Sequence, residues 1–269
     1  MLRKRQTAFL DRARDRRSEI TTLARDYPHA HVIPFHFHDR DQIVYAWRGV
    51  MTVRTETGTW VVPPQRAVWI PTGIAHTIWM SGIVAMRTLY LKPRLAETLP
   101  RDCCVINVTA LLRELILHAC RLGTLKKGTK SKEHVIGMIL DQFEVVEMIP
   151  LELPHLSDPR ARRVADELAR HPSDRRTLAK LCSRSGASKR TIERLFQDQA
   201  GMTFGKWRQQ LRLMQAMRLL AEGTKVTHAA LEAGYSTPSA FISMFRKTLG
   251  TTPTQYFKTV DSRSLRGER

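Results

Sequence analysis

Cysteine is scarce. Cys103, Cys104, Cys120 and Cys182 are the only four in 269 residues, and none stands in a CxxC pair. That spacing excludes a thiolate zinc ribbon and the number is too small for a disulfide scaffold, so the thiols read as reduced, mostly buried groups of a cytosolic protein. Long hydrophobic runs are missing too: no stretch approaches the roughly 18 uninterrupted apolar residues of a membrane span. The Arg-rich start, Met1 to Glu19, is interrupted by Asp11, Asp15 and Glu19 and has no apolar core of a secretory signal. A cytoplasmic protein with no membrane partner is expected, opening with a basic arm over 1–28. Acidic residues are outnumbered, 25 against 44 Lys and Arg, for a formal charge of +19. From Ser157 onward the count is 22 basic against 10 acidic, so +12 of the excess lies there. A surface this basic attracts polyanions, nucleic acid first.

The length favours two domains with adequate cores. From about His31 to Leu91, short alternating runs (Ile43 to Trp47, Met51 to Thr55, Trp60 to Val62) are punctuated by Gly49, Gly58, Pro63-Pro64, Pro71, Gly73 and Gly82. Such spacing predicts an antiparallel β-sandwich or barrel. Helical periodicity follows over Thr109 to Gly123 and Glu133 to Met148. Ile149 to Pro159, with prolines at 150, 154 and 159, reads as a linker without regular structure. The expected division is a basic arm (1–28), a sheet domain (29–100), a helical region (101–149), a linker (150–158), a helical domain (159–258) and a tail (259–269).

After the linker every segment reads as helix, and a spacing repeats. In a helix-turn-helix, a small residue of the first helix is followed four positions later by the turn glycine and six further on by an apolar residue that packs back. Cys182, Gly186 and Ile192 fit this, and so do Ala230, Gly234 and Ala240, at a constant offset of 48. The units are expected at about 178–199 and 225–248. Ser188 is a good N-cap in the first, and Ser236 or Thr237 before Pro238 in the second. Phe204 to Ala221 reads as one connecting helix with Trp207, Leu211, Met214 and Leu219 toward the core.

The stretches Ser188-Lys-Arg-Thr-Ile-Glu-Arg-Leu-Phe196, Gly201-Met-Thr-Phe, Trp207-Arg-Gln-Gln-Leu-Arg-Leu213, Ala233-Gly-Tyr-Ser-Thr-Pro-Ser-Ala-Phe241 and Leu249-Gly-Thr-Thr-Pro-Thr-Gln-Tyr-Phe257 resemble the DNA-binding domain of the AraC/XylS family of bacterial transcription regulators. The resemblance implies that each unit lays its second helix in the major groove of double-stranded DNA. Ser188, Lys189, Arg190, Thr191 and Arg194 would then face bases and phosphates in the first unit, and Ser236, Thr237, Pro238, Ser239 and Ser243 in the second. Ser243 stands where many relatives carry a long polar or basic side chain, which predicts that the first unit does most of the base reading.

In the N-terminal half, His36-Phe-His38-Asp-Arg-Asp-Gln42 followed by six residues and Gly49, and Pro71-Thr-Gly-Ile-Ala-His76, resemble the two motifs of the cupin superfamily. This implies a small β-barrel with His36, His38 and His76 in one cavity, His36 and His38 sharing a strand face by alternation. Two readings of the cluster stay open: a divalent transition metal on His36, His38 and His76, or a metal-free effector pocket of His36, His38, Gln42 and His76. Gln42 replaces the usual Glu and Met80 a common Asn, which removes a negative charge. Trp47, Trp60, Trp69 and Trp79 read as packing.

The fold class expected is thus α+β in two domains: a cupin-like barrel with helices, then an all-α domain with two helix-turn-helix units on a long helix. The function expected is a sequence-specific transcription regulator switched by a small-molecule effector, not an enzyme. A homodimer through the helices after the barrel is expected, with RNA polymerase a further candidate partner. The competing reading is a metal-dependent cupin oxygenase or isomerase with a DNA-binding appendage.

Overall fold

The computed structural model describes residues 17–143, 152–183 and 185–257. Most of the basic arm, the end of the second expected helix near Met148, and the tail lie outside the described residues. The chain forms two compact units, one drawn from Met1–Thr55 and Val62–Ile149, the other from Glu56–Val61 and Pro150–Arg269.

In the first unit an antiparallel sheet is built from β1 (Ile20–Tyr27), β2 (Val32–His36), β3 (Asp41–Arg54), β5 (Arg66–Ile70), β6 (His76–Leu91), β7 (Cys104–Asn107) and β8 (Thr124–Leu125), in the order β7-β5-β3-β6-β1-β8. β2 pairs with the start of β6 and β1 with its end. β1 corrects the sequence reading: residues 20–27, assigned to the basic arm, are a strand in register with Val84–Leu91, and Ile20 and Tyr27 are buried. The long strands β3 and β6 lose register beside Gly49. Gly49 has φ +78, and a Cβ there would lie 2.5 Å from the carbonyl oxygen of Ile83. Only glycine allows that bend.

One sheet face is covered by α1 (Ala110–Leu122) and α2 (Lys130–Asp141). Thr109, expected at the helix edge, caps α1 by accepting from the Leu112 amide at 3.1 Å, and Gly123 closes it at φ +73. Leu112, Leu115, Ile116 and Ala119 share the buried stripe that helical periodicity requires, packed with Ile20, Ile43, Tyr45, Trp69, Leu89, Leu91 and Ile106. α2 begins three residues before the expected Glu133. Of the cysteines, Cys182 is buried and the other three are half-buried.

The second unit contains a short strand pair and the helices α3 (Pro159–Arg170), α4 (Leu178–Cys182), α5 (Lys189–Ala200), α6 (Phe204–Ala221), α7 (Val226–Glu232) and α8 (Pro238–Leu249). Beyond Pro159 its regular structure is helical, as expected. The linker, however, is partly regular: Glu152–Pro154 forms β9 and pairs antiparallel with β4 (Gly58–Val62), Gly58 opposite Pro154 and Trp60 opposite Glu152. Proline is tolerated there because it ends an edge strand and no donor is required of it. His155 extends the pairing, its amide donating to the Thr57 carbonyl and its ring nitrogens lying 2.9 Å from Thr59 Oγ1 and 3.1 Å from the Glu56 carbonyl oxygen.

α6 runs over the span the sequence predicted, capped by Thr203. Trp207, Leu211 and Met214 are buried; Leu219 is only half-buried. Arginines of α6 brace the 172–176 loop: Arg208 donates to the Arg176 carbonyl and Arg212 to those of Pro172 and Asp174. Arg176 in turn pairs with Asp174 and Glu167. Much of the C-terminal positive charge therefore serves the fold. Among the described residues no helix is long and apolar enough to cross a membrane.

Candidate functional site

Each helix-turn-helix is assembled from a short helix, a left-handed glycine and a capped second helix. In the first unit Gly186 takes φ +75 and Ser188 caps α5, its Oγ accepting from the Thr191 amide at 3.2 Å. Ile192, Leu195 and Phe196 are buried, and Phe196 stands edge-on to Phe204 and Trp207 at 5.3 Å. In the second, Gly234 takes φ +91 and Thr237 caps α8, accepting from the Ala240 amide at 3.2 Å. Phe241 and Phe245 are buried, with Tyr235 and Tyr256 against them.

The constant offset of 48 does not survive the turn. It holds from Cys182 and Gly186 to Ala230 and Gly234, but the second turn is one residue longer. Past it the equivalent pairs are 49 apart: caps Ser188 and Thr237, core residues Phe196 and Phe245, closing glycines Gly201 and Gly250. The anchor equivalent to Ile192 is therefore Phe241, which is fully buried, and Ala240, expected to pack back, is exposed. A phenylalanine one position later was the available signal.

The outward faces differ. In the first unit Ser188, Lys189, Arg190 and Arg194 are exposed and Thr191 is half-buried. Lys189 lies 3.7 Å from Glu193, an exposed i,i+4 pair of little energetic weight. Among the described residues no ion pair engages Arg190 or Arg194, the two longest side chains on this face. In the second unit Ser236, Thr237, Ser239 and Ser243 are exposed and Pro238 is half-buried. Ser188 and Thr237 spend a hydroxyl lone pair on their own caps.

In the sheet domain the three histidines come together. His36 ends β2 and stands opposite His76, the first residue of β6. His38 lies past the strand end, so the loop after β2, rather than strand alternation, brings it in. Ring centroids are 4.3 Å (His36 to His76), 4.8 Å (His36 to His38) and 5.3 Å (His38 to His76) apart. One nitrogen from each ring falls within 4.8 Å of the others. His36 Nδ1 lies 2.7 Å from the Pro34 carbonyl oxygen and His76 Nδ1 3.0 Å from that of Ile74. Those bonds leave Nε2 as the inward atom of both rings. Burial lowers all three pKa values, and with the charge of neighbouring imidazoles added it brings His38 to about 3 and His76 to about 4. The rings are neutral near pH 7.

Gln42 is buried opposite Tyr90 in the β3–β6 register, with its amide nitrogen donating to Thr88 Oγ1 at 3.2 Å. Tyr90, which the sequence reading missed, joins the histidines: its ring meets His38 edge-on at 4.9 Å. Alternation could have found it, since Leu89 and Leu91 belong to the opposite, helix-covered face. A separate surface cleft lined by Asp41, Trp69, Thr72, Arg94, Glu97 and Arg101 contains none of the histidines.

Two helix-turn-helix units on one connecting helix, in a chain that also carries a pocket-bearing sheet domain, define a DNA-binding regulator with a sensing domain. Residues 181–259 match the helix-turn-helix domain family, and residues 19–126 the AraC-like ligand binding domain family. The chain is 34% identical over 223 residues to the HTH-type transcriptional regulator NimR of Escherichia coli, covering 83% of this chain and 81% of that protein. It is 32% identical over 104 residues to the regulator RipA of Corynebacterium diphtheriae, covering 38% of this chain and 31% of RipA. Among solved structures, ToxT of Vibrio cholerae with an unsaturated fatty acid bound matches at 12% identity and a TM-score of 0.38, covering 88% of this chain and 94% of that one. The chain belongs to the AraC family of transcription regulators.

Proposed function

We propose that this regulator reads its operator chiefly through α5 and is switched by a small molecule held at His36, His38 and His76, beside Gln42. The observation that carries this is the contrast between Arg190 and Arg194, exposed and without ion pairs among the described residues, and the short side chains of Ser239 and Ser243 at the matching positions of α8. Arginine reaches and grips a base edge with two hydrogen bonds; serine does so weakly. Lys189, Thr191 and the second-unit set Ser236, Thr237, Pro238 and Ser239 serve phosphate contact and shape readout in this reading. The domain roles follow: sensing in the sheet domain that begins with β1, pairing of two copies through the helices of 101–149, and DNA binding in 159–258. The protein works in the cytoplasm with RNA polymerase as its downstream partner. It performs no catalysis, a reading supported by relatives that are transcription regulators.

Footprinting of the full-length protein on the DNA upstream of its own gene tests the reading. The expected result is protection of a discrete site at physiological salt. Binding that is uniform along the DNA and vanishes with added salt overturns sequence-specific recognition.

A further inference from the structure

We propose that the cleft bounded by Asp41, Arg94, Glu97 and Arg101 in the sheet domain binds a small zwitterion of the amino-acid and short-peptide class, its carboxylate held by the two arginines and its ammonium by the two carboxylates. The site goes beyond the effector reading above, because none of the histidines lines it.

The cleft holds about 640 Å³, within the range of roughly 300–1,000 Å³ usual for small-molecule sites. Its walls are stiff. Pro71, Pro93 and Pro100 line it, and Trp69 Nε1 donates to the Pro100 carbonyl at 2.9 Å, which ties the 93–101 segment to β5. Two successive turns shape that segment, closed by the Leu95 amide on the Lys92 carbonyl and the Leu99 amide on that of Ala96. In the first turn Pro93 takes the second position and Arg94 the third, at φ +68. A type II turn ordinarily places glycine or asparagine there, and a long L side chain strains it. Strain of this kind persists where the side chain has a task that glycine cannot perform. Folding supplies none here: among the described residues no ion pair or hydrogen bond engages the Arg94 side chain.

The other charges of the cleft are in the same position. Arg101 and Glu97 are exposed and have no ion pair among the described residues. Asp41 is only 6% exposed, accepts from the Thr72 amide at 2.8 Å, and has no cation beside it among the described residues. A buried carboxylate without a counter-ion is costly, and an ammonium group entering the cleft offsets that cost. Two guanidinium groups and two carboxylates share one lining. That balance favours a molecule with one charge of each sign over a simple anion or cation. Trp69, Ala96 and Leu99, all buried, add apolar surface for the rest of the ligand.

Full-length protein is titrated calorimetrically with L-leucine, alanyl-alanine and leucyl-leucine, and with leucyl-leucine blocked as its N-acetyl or its C-terminal amide form. At least one zwitterion should bind at one site per chain, and each blocked form should bind about tenfold or more weakly than leucyl-leucine. Asp41→Asn retains the acceptor for the Thr72 amide and should erase the preference for a free amine. Arg101→Gln should erase the preference for a free carboxylate. Arg94→Gly suits the left-handed backbone, so it should weaken binding while the thermal unfolding midpoint holds or rises. His36→Gln should bind like the parent. Absence of binding by every zwitterion at millimolar concentration, or blocked forms that bind as well as the free dipeptide, overturns the proposal. Loss of binding in His36→Gln assigns the ligand to the histidines and overturns the cleft, and a destabilised Arg94→Gly variant overturns the argument from strain.

Discussion

The two helix-turn-helix units share a plan and differ in how tightly the plan binds each residue. In the first, Gly186 is needed for its left-handed backbone alone: a Cβ there would meet nothing nearer than the Arg163 guanidinium at 3.6 Å. In the second, a Cβ on Gly234 would lie 2.9 Å from the Pro172 carbonyl oxygen, Ser173 Cα and Arg212 Nε. The same turn residue is thus a conformational requirement in one unit and also a packing requirement in the other. On the outside the asymmetry reverses, with the first unit bearing the long cationic side chains. The second unit is the more constrained by its own protein and the first the better equipped to meet DNA.

The largest test of this contrast concerns what the units share. Phe196 and Phe245 are both fully buried at equivalent positions, so alanine at either should cost about 3–5 kcal/mol in denaturant unfolding. A difference well beyond that range would show the cores are not equivalent. Next, Gly186→Ala should cost about 1–2 kcal/mol, the penalty for a left-handed L-residue, and Gly234→Ala clearly more because backbone must also move; equal losses would remove the packing distinction. Arg190→Ala should lower specific DNA affinity by about 1–3 kcal/mol and relax preference at one base pair, while Ser239→Ala changes affinity only slightly. A quantitative gel shift on single-base operator variants decides this, and equal effects would break the ranking of the units. The smallest effect is at the caps: Ser188→Ala and Thr237→Ala should each cost about 1 kcal/mol in thermal or denaturant unfolding.

Much of the helical domain was legible because its signals are local. Capping hydroxyls, turn glycines and a helical apolar stripe specify α5, α6 and α8 without knowledge of their neighbours. The slip at Ala240 for Phe241 arose because an offset fixed by the first half of the motif was carried across a turn whose length is set by packing. The sheet domain was less legible. Ile20 to Tyr27 carries a mixed pattern, with Ala24, Arg25 and Asp26 exposed, and is a strand because β6 offers it an edge. Glu152–Pro154 is a strand for the same kind of reason, pairing with a segment about ninety residues earlier. Non-local pairing leaves little trace in a run of three residues. The histidines were readable as a motif, whereas Tyr90 required knowing which face of β6 the helices cover.

The pairing of β4 with β9 bears on how such a protein is recombined. Residues 56–61, with the fully buried Trp60, are numbered among the strands of the sensing half but belong to the unit that contains the DNA-binding helices. In genetic terms that unit is not a contiguous cassette. A chimera joined at Pro150 would carry every recognition side chain yet leave out the strand that partners Leu153 and the carbonyl that His155 contacts. Exchange of sensing domains between relatives is therefore constrained at two places in the gene, one of them deep inside the part being exchanged.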